Sequence, residues 1–262
     1  MTWSFSAEWQ AFNDLKVERT WGWTVEQRIQ QFVLEVGLEE HQLQGLRVLD
    51  AGCGTGQLTS AIGALGADVV GVDYSSSVEE AEKNKTLDNV SFLRGDLQNL
   101  PFGEEFDLVY STGVLHHNPS TRDAFLKLAT HVKPGGRMYV WVYRPSPGLK
   151  HRIFRIREAL MRPWMSRLPP KLQHLFVLAN VALLYPLQKR LGDREYSRAE
   201  VVVSTYDTLT PKYAHRHIPQ EVASWYHEAG FESPTLSHWD NPNGFGMVAV
   251  KRSMTKTPGM NF

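Results

Sequence analysis

Three aspartates stand where the chain could do chemistry on a ligand. Asp50 ends the short apolar run Arg47-Val48-Leu49-Asp50 and is followed by Ala51-Gly52-Cys53-Gly54-Thr55-Gly56. Alternating glycines at 52, 54 and 56 permit a tight turn and leave no Cβ to hold a ligand off the backbone. A helix launched by that turn offers free N–H groups to an electronegative group. Asp73 closes a second apolar run, where a carboxylate can accept both ribose hydroxyls of an adenosine moiety. Asp96, in Arg94-Gly95-Asp96-Leu97, follows a third run and can accept from an adenine amino group. Alone, Asp96 reads equally well as an Asx turn, and an NAD enzyme would also place an acid at Asp73. Together, three acids after three successive strand ends share the carboxyl edge of a sheet, where open α/β sheets bind ligands.

Histidines form the second chemical group. His116 and His117 follow a fourth apolar run, and His215 and His217 lie in Tyr213-Ala214-His215-Arg216-His217. An imidazole titrates near neutrality, so each is a candidate general base for an acceptor that must lose a proton. His116 reads as the more structural of its pair. Tyr206 and Tyr213 are candidates to line a substrate pocket beside the later histidines. Trp21 and Trp23 could close on a substrate or on a positively charged ligand, which is attracted to aromatic faces. The plainer reading of each aromatic is core packing. No metal is expected, because His215 and His217 have no acids beside them in the sequence.

Positioning these groups requires strands alternating with helices. Strands are predicted over 47–50, 68–73, 90–94, 106–111 and 136–143, the last launched by the turn Lys133-Pro134-Gly135-Gly136. Helices are predicted over 57–65, 78–84 and 121–131 between them. That alternation implies a parallel sheet with helices on both faces. A further helix over 220–229 ends at Gly230, and 231–237 and 246–251 read as two closing strands. The alternation breaks between Arg144 and Arg198, where twelve lysines and arginines face three acids among Leu-rich helical stretches. We therefore expect N-terminal helices over 1–44 covering the site, a core over 45–144 and 200–253, a basic helical cap over 145–199, and a tail over 254–262.

Composition narrows the classes further. The chain is 42% hydrophobic and 21% charged with zero formal net charge, so no whole-molecule field draws it to nucleic acid. A lone cysteine, Cys53, rules out an internal disulfide framework and fits a reducing compartment. No signal-peptide pattern opens the sequence and no apolar run reaches spanning length, so a cytoplasmic protein is expected. The cap's arginines suit a solvated face, an anionic substrate, or peripheral contact with an anionic membrane.

The stretch 46–143 resembles class I S-adenosylmethionine-dependent methyltransferases, the broad group that holds ubiquinone and menaquinone C-methyltransferases and small-molecule O- and N-methyltransferases. The matching pieces are Val48 through Gly56, Gly71-Val72-Asp73-Tyr74-Ser75, Gly95-Asp96-Leu97, Phe106 through Ser111 with Val114-Leu115-His116-His117, and Val132 through Gly136. The resemblance implies a doubly wound, mostly parallel seven-stranded α/β sheet with an antiparallel final strand, carrying the helical cap as an insert. It implies S-adenosyl-L-methionine as cofactor, S-adenosyl-L-homocysteine as product, and a small-molecule acceptor, which the apolar helices and clustered arginines of the cap suggest is hydrophobic or anionic. By match, Gly52 and Gly54 hold the amino-acid end, Asp73 the ribose and Asp96 the adenine, with Tyr74 against its ring. Ser111 through His116 border the methionine moiety and the sulfonium, and Asp50, Gly56 and Leu97 are counted with the cofactor-binding residues. The Asn/Asp-Pro-Pro-aromatic motif of amino-methylating nucleic-acid enzymes is absent, since Ser111-Thr112-Gly113-Val114 stands there. An RNA or protein methyltransferase is therefore a weaker reading. A cofactor-binding sensor or partner subunit without turnover would carry the same motifs.

Overall fold

A computed structural model describes residues 3–14, 23–145, 148–191, 197–237 and 243–253. Apolar runs of five to seven residues form the central strands β1 (Arg47–Ala51), β2 (Asp68–Asp73), β3 (Val90–Arg94) and β4 (Phe106–Thr112). They join β5 (Val132–Tyr143), β6 (Thr235–Leu236) and β7 (Gly244–Val250) in one sheet of order β3-β2-β1-β4-β5-β7-β6. β1 through β5 pair in parallel, and β7 runs antiparallel to both β5 and β6. Strand order reverses between β1 and β4, which opens a crevice at their carboxyl ends.

Two predicted boundaries move. β5 begins at Val132, so Lys133-Pro134-Gly135-Gly136 lies inside the strand as an irregularity. The register skips between Phe106↔Val132 and Leu108↔Arg137, absorbing the extra residues as a bulge. The strand expected over 231–237 is reduced to Thr235–Leu236 and one bridge, Phe231↔Lys251.

Nine helices cover the sheet among the described residues: α1 (Trp3–Asp14), α2 (Val25–Val36), α3 (Gln57–Ala64), α4 (Ser77–Asn84), α5 (Thr121–Ala129), α6 (Leu149–Met165), α7 (Pro170–Leu191), α8 (Arg198–Leu209) and α9 (Pro219–Glu228). One sheet face packs Val109, Met138 and Val140 against Phe125, Leu128 and Trp225 of α5 and α9. The other packs Val48, Leu108 and Tyr139 against Phe32 of α2 and Ile62 of α3. Each such side chain contributes roughly 1.5–3 kcal/mol on burial. α2 is set in register by a capping box, Thr24 with Gln27, and ends at Gly37 in the left-handed region with φ 63°.

A third cluster stands off the sheet. Ala11 of α1, Met165 of α6, Val177 and Val181 of α7, and Val201, Val202 and Tyr206 of α8 bury one another. α8 thus packs with the insert, so the helical layer runs to Leu209 and the core does not resume at 200 as expected. A capping box of Ser197 with Glu200 starts α8. This layer, α1 with α6 to α8, forms a roof over the crevice.

Candidate active site

The chain leaves β1 at Asp50 and turns sharply, with the Gly52 and Cys53 amides donating to Val72 O at 2.7 and 3.0 Å. Gly52 has φ 97°, and a Cβ there would meet Val114 Cγ2 at 2.1 Å. Gly54 has φ 56°, and a Cβ would strike the Trp9 ring at 2.5 Å. Glycine is required at both for conformation and for space. The turn delivers the N-terminus of α3, whose Thr59 hydroxyl donates to Asp50 Oδ2 at 2.6 Å. Burial, the largest effect, pushes the Asp50 carboxyl up to about 6; the Thr59 bond opposes this and the charge of Asp73 adds to it. A cationic ligand would draw such a buried acid back to its ionised form.

Asp73, at the end of β2, accepts from the Gly54 amide at 2.8 Å and the Ser75 amide at 2.7 Å. Asp96 accepts from the Gln98 amide at 3.0 Å, so it makes an Asx turn and also faces the crevice. A cavity of about 300 Å³ lies above them, lined by Asp50, Gly52, Asp73, Tyr74, Asp96 and Leu97 from the sheet edge. Trp23 lines it as well, whereas Trp21 lies outside the described residues.

Several expected contacts fall elsewhere. Gly54 lies beneath Trp9, and Gly56 precedes α3 against Phe92, so neither borders the cavity. Ser111 is fully buried and donates to Ala51 O at 2.8 Å, tying β4 to β1 behind the site. His116 is also fully buried, its ring stacked on Tyr143 at 3.9 Å, and does not reach the cavity. Burial first, then the neighbouring charges of His117, His217 and two arginines, hold His116 well below the usual imidazole range. Buried and stacked away from the cavity, it packs between β5 and the segment after β4.

The other late histidines are pins. His215 Nε2 lies 3.0 Å from Asn118 O, and its amide donates to His116 O at 2.9 Å. His217 sits between Thr121 Oγ1 at 2.9 Å and Glu221 at 3.0 Å, with its ring 4.9 Å from that of Trp225. These bonds fasten 215–217 to the segment after β4, and neither histidine lines the cavity. Tyr206 turns into the roof core, its hydroxyl 2.5 Å from His174 Nδ1. Tyr213 stacks its ring on His215 and does not line the cavity.

His117 alone among the four histidine candidates faces the cavity. Its Nδ1 lies 2.8 Å from Tyr213 O, and a carbonyl only accepts, so that nitrogen carries the proton. Nε2, the other ring nitrogen, is buried and lies 3.3 Å from Asp207 Oδ1. Asp207 also accepts from the Tyr143 hydroxyl. Asp207 reaches the site because it follows Tyr206 by one helical residue: a step of about 100° turns one side chain inward and the next to the cavity.

Two charged residues of the cavity wall, Glu8 and Arg28, escape sequence reasoning. Glu8 comes from α1 with Phe5 and Trp9, three residues on one helical face. Burial, reinforced by the charges of Asp207 and Asp73, raises the Glu8 carboxyl well above its usual range. Arg28 of α2 donates to the Tyr110 hydroxyl at 2.8 Å, which donates to Glu35 at 2.6 Å, and Arg28 also lines the cavity.

Comparison with known proteins places the sheet among those of methyltransferases. Residues 49–140 match a family described as a methyltransferase domain. The mitochondrial ubiquinone biosynthesis O-methyltransferase of Schizosaccharomyces pombe is 35% identical over 113 residues, 41% of this chain and 41% of that protein. The chain thus spans about two fifths of the length of that curated relative. Among solved structures, magnesium protoporphyrin IX methyltransferase from Synechocystis PCC 6803 with bound SAM superposes with a TM-score of 0.51 at 18% identity, covering 92% of this chain and 83% of that one. The Burkholderia thailandensis 1,6-didemethyltoxoflavin-N1-methyltransferase, bound to its substrate and S-adenosylhomocysteine, gives 0.53 at 16% identity, covering 93% and 85%. At these identities the structures establish a shared fold.

Proposed function

We propose that this chain, whose residues 49–140 form a class I S-adenosylmethionine-dependent methyltransferase domain, transfers a methyl group to a small-molecule acceptor beneath the helical roof. The observation that carries the reading is convergence: Asp50, Asp73 and Asp96 from three strand ends meet His117 and Asp207 across one cavity. When bound, S-adenosylmethionine supplies a methyl group on an electrophilic sulfonium. The residues fit it. Asp73 would hold the ribose, Asp96 and Tyr74 the adenine end, and Asp50 the cationic amino-acid end. Arg28, the cationic side chain on the cavity wall, would take the carboxylate.

The chain's own contribution is positioning and proton handling. Trp9 and Phe5 of α1 exclude water from above. His117 Nε2 would remove the proton of a hydroxyl or amine acceptor, and Asp207 would stabilise the imidazolium so formed. The curated relative acts on a quinone precursor oxygen only by its name, so the acceptor atom here is argued from His117 alone: one that carries a removable proton.

The test is a screen of phenolic, carboxylic and amine acceptors with methyl-labelled S-adenosylmethionine. Label transfer that needs His117 is the expected result. Cofactor binding with no transfer to any acceptor class would instead favour a sensor or partner subunit.

A further inference from the structure

Of the twelve large apolar side chains left exposed among the described residues, eight lie on α6 and α7. On α6 they are Ile153, Ile156, Leu160 and Trp164, spaced three and four apart, which places them in one stripe along the helix. α7 continues the stripe with Phe176 and Leu183, and the Trp164 and Phe176 rings meet edge to face at 5.3 Å. The inner faces of the same helices are occupied: Met165, Val177 and Val181 are buried against α1 and α8. The helical pair therefore has two apolar faces, one packed on the roof and one turned outward. An outward apolar surface of this extent marks an interaction site.

The charges around it choose the partner. Arg152, Arg167, Lys171, Lys189 and Arg190 are exposed on or between these helices. Glu158 is the single acid in either helix, and it is turned inward to Arg216 at 2.6 Å and Arg162 at 3.5 Å. The outer face is thus apolar along its length and cationic at its margins. A second copy of this chain would bring like charges together, whereas an anionic lipid surface would complement both features. Among the described residues no helix is long and apolar enough to cross a membrane, so the pair would lie in the interface plane.

We infer that the outer face of α6 and α7 docks this protein on a membrane surface bearing anionic headgroups. The stripe enters the acyl boundary, and the lysines and arginines meet the headgroups. α1 and α8 stand between this face and the cavity, so docking is separable from cofactor binding.

The test is co-sedimentation of the full chain with phosphatidylcholine vesicles, with and without phosphatidylglycerol. The comparison variant carries Leu160→Glu and Leu183→Glu, both at exposed positions. Calorimetry with S-adenosylhomocysteine on the variant reports the fold and the cofactor site independently of lipid. We expect partitioning onto phosphatidylglycerol vesicles that weakens with salt and falls at least about tenfold in the variant, with S-adenosylhomocysteine binding unchanged. Equal binding to both vesicle types, no binding to either, or full retention by the variant would overturn the inference. So would self-association that the two glutamates abolish without any vesicle binding, which would assign the face to a second copy.

Discussion

The cavity has a floor and a roof, and they are held by different forces. On the floor, Asp73 and Asp96 are fixed by backbone amides of their own turns, and Asp50 by the first turn of the helix it precedes. In the roof, Glu8 and Asp207 come from opposite ends of the chain and are placed by helix packing. His117 bridges the two: its chain position belongs to the floor, but its partners, Tyr213 O and Asp207, belong to the segments above. A rigid floor suits a ligand whose shape never changes. A roof built from side-chain packing can differ from one acceptor to another without disturbing the floor.

The largest expected effect separates those roles. His117→Ala should lower turnover by about 10²–10⁴-fold while changing the dissociation constant for S-adenosylhomocysteine less than about threefold. Matching losses in both, by kinetics and calorimetry, would make His117 part of the floor and break the comparison. Next comes Asp50→Asn. Burial raises the folded-state pKa of Asp50 to about 6, above an unfolded value near 4, so its ionisation opposes folding once pH rises through that window. The substitution should stabilise the ligand-free protein by up to about 3 kcal/mol at pH 8 and by almost nothing below pH ~4, read from urea unfolding. It should also weaken cofactor binding, because the carboxylate facing the cationic ligand is gone. Smallest is His215→Gln, which removes a pin outside the cavity. Turnover should stay within about threefold of the parent, with a modest fall in Tm. A loss as large as that of His117→Ala would return His215 to the chemistry.

The same division governs what could be read from the amino acids alone. Asp50, Gly52, Asp73 and Asp96 are legible because a strand end, a glycine turn and an acid are written within a few residues of one another. Their burial follows from the apolar runs that precede them. His215 and Tyr206 were misplaced because chemistry-bearing type and cavity exposure are independent: His215 bonds to a backbone carbonyl, and Tyr206 points inward where Asp207 points out. Glu8 and Arg28 left no local signature at all. Their place depends on how α1 and α2 pack across the crevice, and that contact is long-range. The insert was recognised as helical and basic, yet its inclusion of α8 depended on which faces bury each other.

The central claim is that the acids of the floor, not the roof, hold the cofactor. Calorimetry of S-adenosylhomocysteine against the parent, Asp73→Ala and Asp207→Ala tests it most directly. Micromolar binding by the parent, lost or weakened at least about a hundredfold in Asp73→Ala and little changed in Asp207→Ala, is the predicted result. Binding that survives Asp73→Ala intact, or no binding by the parent at all, would contradict the account.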